Sequence, residues 1–148
     1  MENQTKIKQI LKRREYFNNF FPKITGCDYR KDIDFKLPNS CPACGYYTLE
    51  GRCSWEICQL CFWEDDGQDD FDADKIFGGP NGDYSLTKYR IEFFDDFENY
   101  KNENKSTELI VDLKLLDKYI FSNEQDFKKV ELLLENILKN INGQIPRL

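Results

Sequence analysis

The sequence predicts a small α+β protein in which amphipathic helices from both termini pack around a central β-hairpin module. Three observations carry this reading. Two Cys-x-x-Cys pairs stand 13 residues apart near the middle of the chain. Between them the run GYYTLEGRCSWEI breaks at Glu50-Gly51-Arg52 into two short extended pieces, the pattern of a hairpin. On both flanks, apolar residues recur at spacings of three and four, the period of one helix face.

The 148 residues suit one compact unit. Its parts are an N-terminal helix and connector (1–40), a cysteine module (41–98) and a C-terminal helical extension (99–148). In the first part, Ile7, Ile10, Leu11, Phe17 and Phe21 fall on one side of an amphipathic helix over 3–21, and Pro22 ends it. Residues 22–40 read as a connector with a short extended segment at 32–37. The hairpin strands are expected at 46–49 and 53–57. An acidic loop follows, closed by Gly78-Gly79-Pro80-Asn81-Gly82, a turn signal too dense for regular structure.

Leu86, Tyr89, Phe93 and Phe97 then mark a helix over 86–98, and residues 99–106 form a polar linker. Residues 107–142 read as two helices broken near Ser122-Asn123, with Gly143 as the stop. The β-branched start of ELIVDLKLLDKYIF also admits a strand there. The apolar faces of 107–142 need cover, from the cysteine module or from a second copy of the chain in a homodimer.

Composition narrows the function classes. No run of about 18 apolar residues is present to span a membrane. The charged N-terminus lacks the apolar stretch of a signal peptide, so a cytoplasmic protein is expected. In a reducing compartment, Cys-x-x-Cys pairs bind metal more often than they form structural disulfides. There is no histidine, which removes the commonest general base and the usual ligand of an open catalytic zinc site. The formal charge of −6 disfavours phosphate backbones as partners.

Cys41-Pro-Ala-Cys44 and Cys58-Gln-Leu-Cys61 each allow the backbone to curl so that two sulfurs converge on one ion, and Gly45 suits the sharp turn this needs. Together they predict a closed four-thiolate site at Cys41, Cys44, Cys58 and Cys61. Zinc is the expected occupant, with a rubredoxin-type iron as the alternative; Phe62-Trp63 after the second pair, in place of glycine, weighs against iron. Cys53 is read as a buried thiol filling the hairpin core, and Cys27 as incidental.

The words CP-x-CGY-x-TL, S-x-EIC-x-x-CFWEDDGQDD, DAD, GGPNG and SLT run through residues 41–94. With them the chain closely resembles the bacterial cysteine-rich CPCC family. One departure is Ala43, where the family's name motif has a further cysteine. The resemblance implies zinc binding and names no activity.

Glu64, Asp65, Asp66, Asp69, Asp70, Asp72 and Asp74 fall within eleven residues. Asp70, Asp72 and Asp74 mimic the start of a calcium loop, but Lys75 stands where glycine is required and Asn81 where the bidentate Glu belongs. Beside Trp63 and Phe62, the seven carboxylates are instead expected to form a partner-binding face with an aromatic anchor. The protein therefore reads as a non-enzymatic, zinc-stabilised interaction protein. One form is an immunity-type inhibitor covering a basic toxin or nuclease, steered by charge. The alternative is a nucleic-acid-binding or regulatory zinc ribbon using Lys6, Lys8, Lys12, Arg13 and Arg14.

Overall fold

A computed structural model describes residues 2–20, 39–103 and 107–141. Within these, helix α1 (Asn3–Asn18) is followed by strands β1 (Asn39–Ser40) and β2 (Tyr47–Leu49). A long irregular segment with 3₁₀ turns at Asp70–Asp72 and Gly79–Asn81 leads to helices α2 (Leu86–Glu103), α3 (Glu108–Phe121) and α4 (Phe127–Asn140). The α+β expectation holds. No helix among the described residues is long and apolar enough to cross a membrane. The expected segment at 32–37, Cys27, Phe21 and Gly143 lie outside the described residues.

The helix starts follow local chemistry. The Ser85 hydroxyl accepts from the Lys88 amide, Thr107 from Ile110 and Asp126 from Lys129, each satisfying an amide that the first turn leaves without a partner. Residues 108–110 are helical behind the Thr107 cap, so the admitted strand does not form. The break between α3 and α4 turns on Asn123, at φ +58°, a left-handed position that asparagine tolerates. Helix α2 runs past the expected end at 98 and through most of the predicted linker, because Tyr100 and Lys101 are buried. The Lys101 ammonium bonds Asp117 on α3.

One apolar cluster joins the helices to the cysteine module. Leu109, Ile110, Leu113, Leu116 and Ile120 of α3 are buried, as are Val130, Leu134 and Ile137 of α4. The apolar faces of the C-terminal helices are thus covered within one chain.

The hairpin pairs differently from expectation. Strand β2 runs antiparallel to β1, with Ser40 opposite Tyr47 and Asn39 opposite Leu49 around an irregularity. Residues 53–57 form no strand; Ile57 makes only an isolated bridge with Glu64. The cause is backbone conformation, since Cys53 and Trp55 have φ of +60° and +63°, outside the extended region. Cys53 is disulfide-bonded, with its partner outside the described residues, and so is not the free core thiol expected.

Helix α1 also turns a different face inward. Ile10 and Phe17 are buried as expected, but Ile7 and Leu11 are only half-buried, while Lys6, Arg13 and Arg14 point inside. Lys6 bonds Asp95 of α2, and Phe17 stacks on Tyr47 of β2 at 5.1 Å. The helix lies directly on Gly45. A Cβ there would sit 2.5 Å from the Ile10 carbonyl oxygen, and φ is +86°. Gly45→Ala is therefore expected to lower stability by about 2–4 kcal/mol from backbone strain and overpacking together, measured by urea denaturation.

Candidate metal centre

The two Cys-x-x-Cys turns are near copies of each other. In the first, the Gly45 amide donates to the Cys41 carbonyl at 2.9 Å and the Cys41 amide to the Tyr46 carbonyl at 2.8 Å. In the second, Phe62 donates to Cys58 at 2.8 Å and Cys58 to Trp63 at 3.0 Å. Position four after the leading cysteine is left-handed in both: Gly45 at φ +86° and Phe62 at φ +68°. Glycine adopts that conformation freely, whereas phenylalanine does so at a cost of about 1–2 kcal/mol. The second turn thus keeps knuckle geometry without the glycine that marks the first.

These turns bring the four predicted ligands together. Cys41 and Cys61 sulfurs lie 3.6 Å apart and those of Cys44 and Cys58 3.8 Å apart, with all four within 4.8 Å of one another. The thiols are free and buried. A disulfide would bring two sulfurs to about 2.05 Å. A tetrahedron with metal–sulfur bonds of about 2.3 Å instead has edges near 3.8 Å. The Cys41–Cys61 and Cys44–Cys58 separations match the edges of such a tetrahedron. Among the described residues the quartet is the single grouping of Cys, Asp or Glu side chains arranged this way.

Hydrogen bonds around the quartet converge on Cys58. The Thr48 hydroxyl lies 3.0 Å from the Cys58 sulfur, and the Cys61 amide 3.5 Å from the same atom. Burial opposes ionisation of Cys58, but hydrogen bonds from Cys41, Cys44, Cys61 and Thr48 outweigh it and hold this thiol well below its ordinary range. Burial, then hydrogen bonding within the quartet, pushes Cys44 and Cys61 well above it. Tyr89 closes one side, its hydroxyl donating to the Cys61 carbonyl and its ring 5.0 Å from that of Trp63. Burial and the thiolate charges raise the Tyr89 hydroxyl, keeping it a donor. All four cysteines are buried, at 0–2% exposure.

The acidic segment behaves unlike a simple recognition loop. Trp63 and Asp65 are fully buried and Asp69 is 3% exposed, so none of these three predicted partner-binding residues can meet a partner. Arg52 spans two carboxylates, with Nε 3.0 Å from Asp65 and Nη1 2.6 Å from Asp69. Arg14 reaches Asp69 at 2.7 Å and Asp70 at 3.0 Å, and Arg90 bonds both Asp70 and the Pro42 carbonyl. Burial opposes the Asp69 charge, yet Arg14 and Arg52 overcome it and hold the carboxyl well below the usual range. Of the rest, Asp72 accepts the Asp69 amide and Asp74 the Thr87 hydroxyl, while Asp66 and the Glu64 backbone are tied to Asn81. Asp70 and Asp74 remain exposed, and Glu64, Asp66 and Asp72 half-buried.

Arg14, Arg52 and Arg90 are parts of this site that no local sequence signal marked, while Thr48 and Asn81 lie in the motif words without a role attached to them. Each is identified by a contact made across the fold. No curated protein and no solved structure matches the chain. Residues 39–107 match the family model described as Cysteine-rich CPCC, the family whose motifs the sequence carries across residues 41–94.

Proposed function

We propose that the protein is a non-enzymatic binding protein in which a zinc ion at Cys41, Cys44, Cys58 and Cys61 stabilises the module that presents an interaction surface. The observation that carries the reading is a run of exposed large apolar side chains beside the metal module. Phe71 is 81% exposed, Ile76 62% and Phe77 48%, on a segment whose backbone is anchored by buried arginine–aspartate pairs. Exposed apolar groups held on a fixed frame are the usual anchors of a protein interface.

A groove of about 490 Å³ lies beside Phe71, walled by Ile7, Leu11, Asp72, Asp74 and Thr87. Lys75 and Arg90 line it too, but Arg90 is paired with Asp70, so Asp72 and Asp74 leave the groove with an excess of negative charge that suits the stem and head of a lysine or arginine. A basic protein partner, of the toxin or nuclease kind that an immunity-type inhibitor covers, fits this chemistry. The nucleic-acid alternative loses support, because Lys6, Arg13 and Arg14 face inward and leave Lys8 and Lys12 as the exposed part of that cluster.

The test is a photo-crosslinking phenylalanine at position 71, compared in the native host with the same probe at exposed Lys114. A partner captured from position 71 alone, and bound at least tenfold more weakly after Phe71→Ser, supports the reading. Its binding should also weaken steeply with salt. Equal capture from both positions, or unchanged affinity for Phe71→Ser, overturns it.

A further inference from the structure

Helix α1, which lies outside the matched residues 39–107, brings a buried cation to the first knuckle. Arg13 is 1% exposed. Its Nη1 donates to the Cys44 carbonyl at 3.2 Å, and its guanidinium carbon lies 4.5 Å from the centre of the Tyr46 ring. Its Nε is 3.7 Å from Asp117, which also accepts from the Tyr46 hydroxyl and Lys101. A doubly charged cation bound by four thiolates leaves a net charge of about −2 in an enclosed site where solvent screens poorly. An always-ionised arginine whose donor ends on a ligand's own carbonyl is placed to offset that charge.

We propose that Arg13 is a positioning residue of the metal centre: its fixed charge and its bond to Cys44 hold the four-thiolate ion in place, so that docking of α1 and retention of the metal form one coupled event. This rests on the four-thiolate reading of the site and is independent of the interaction surface. Coupling of this kind is reciprocal. Whatever strengthens α1 on the knuckle tightens the hold on the ion, and loss of the ion weakens the docking of α1 by the same factor. Outer contacts to metal ligands are commonly worth about 10–100-fold in metal affinity.

The competing account is that Arg13 serves only as half of an ion pair with Asp117. The two accounts give opposite results for Asp117. The experiment measures zinc release from the full-length, zinc-loaded chain into excess chromogenic chelator at constant pH and salt. Arg13→Met, which keeps bulk and removes charge, should release zinc at least tenfold faster than wild type, and Arg13→Lys should recover part of that loss. Asp117→Asn keeps a hydrogen-bond acceptor for Tyr46 and Lys101 while leaving the Arg13 charge unopposed. It should release zinc no faster than wild type.

Wild-type release from Arg13→Met would overturn the proposal. So would Asp117→Asn releasing zinc as fast as Arg13→Met, since the ion pair would then carry the whole effect. Should Arg13→Met fail to fold with zinc bound, Arg13→Lys and Asp117→Asn still decide. Fast release from Asp117→Asn rejects the role, and wild-type or slower release with intermediate release from Arg13→Lys upholds it. Failure of the crosslinking test at Phe71 bears on none of these rates.

Discussion

Replacing Cys58 with serine leaves a chain that neither holds zinc nor folds cooperatively. Structural zinc supplies about 10–16 kcal/mol in small four-ligand modules at neutral pH. A domain retains only about 5–15 kcal/mol of net stability, so loss of most of the metal term leaves little in hand. Cys58 supplies one of the four sulfurs, and a serine hydroxyl does not ionise at pH 7. Metal analysis should find less than one zinc per chain, and thermal scans should show no sharp transition. Lys114→Ser is the control, because Lys114 is exposed and lies outside the quartet, and should leave zinc content unchanged. A well-folded, metal-free Cys58→Ser protein would show that the centre is not structural.

Asp69→Asn is the second large effect, expected to cost about 3–5 kcal/mol. Asp69 receives Arg14 and Arg52 together, so the amide leaves two buried guanidinium groups short of charge. The sign with pH follows from the direction of its shift. Its folded value lies below the unfolded one, so the stability it confers is fully present above about pH 4. That stability is lost as pH falls from there through the folded value. Urea unfolding between pH 7 and pH 3 should show wild type losing an advantage that the variant never had. The difference between the two curves isolates Asp69 from proton competition for the thiolates. Parallel curves would show that this carboxylate is not held by its arginines.

The parts of this architecture legible in sequence are those fixed by near neighbours. Cysteines three apart curl onto one ion whatever surrounds them, and Ser85, Thr107 and Asp126 cap amides three residues ahead. The break at Ser122-Asn123 is local in the same way. The misread parts depend on distant groups. Arg13 and Arg14 look like a wet helix face until Asp117 and Asp69 arrive from elsewhere in the chain. Asp65 and Asp69 look like a solvated acidic run until Arg52 covers them. The hairpin failed for a different reason: Cys53 and Trp55 adopt left-handed backbone with no glycine to announce it. Helix α2 outran its apolar pattern because Lys101 is held by Asp117, a contact with no signature at residue 101.

The inward cations of α1 also set an order of assembly during synthesis. Arg14 precedes Asp69 by 55 positions, and Arg13 precedes Cys44 by 31. At about 5–20 residues per second, Asp69 leaves the ribosome roughly 3–11 s after Arg14. Throughout that interval Arg14 lacks the carboxylate that receives it, and Arg13 waits longer still, for Asp117. Cys58 and Cys61 emerge before Asp69, Asp95 and Asp117, so the quartet is complete, and able to take up its ion, before the charges that fasten α1 have been made.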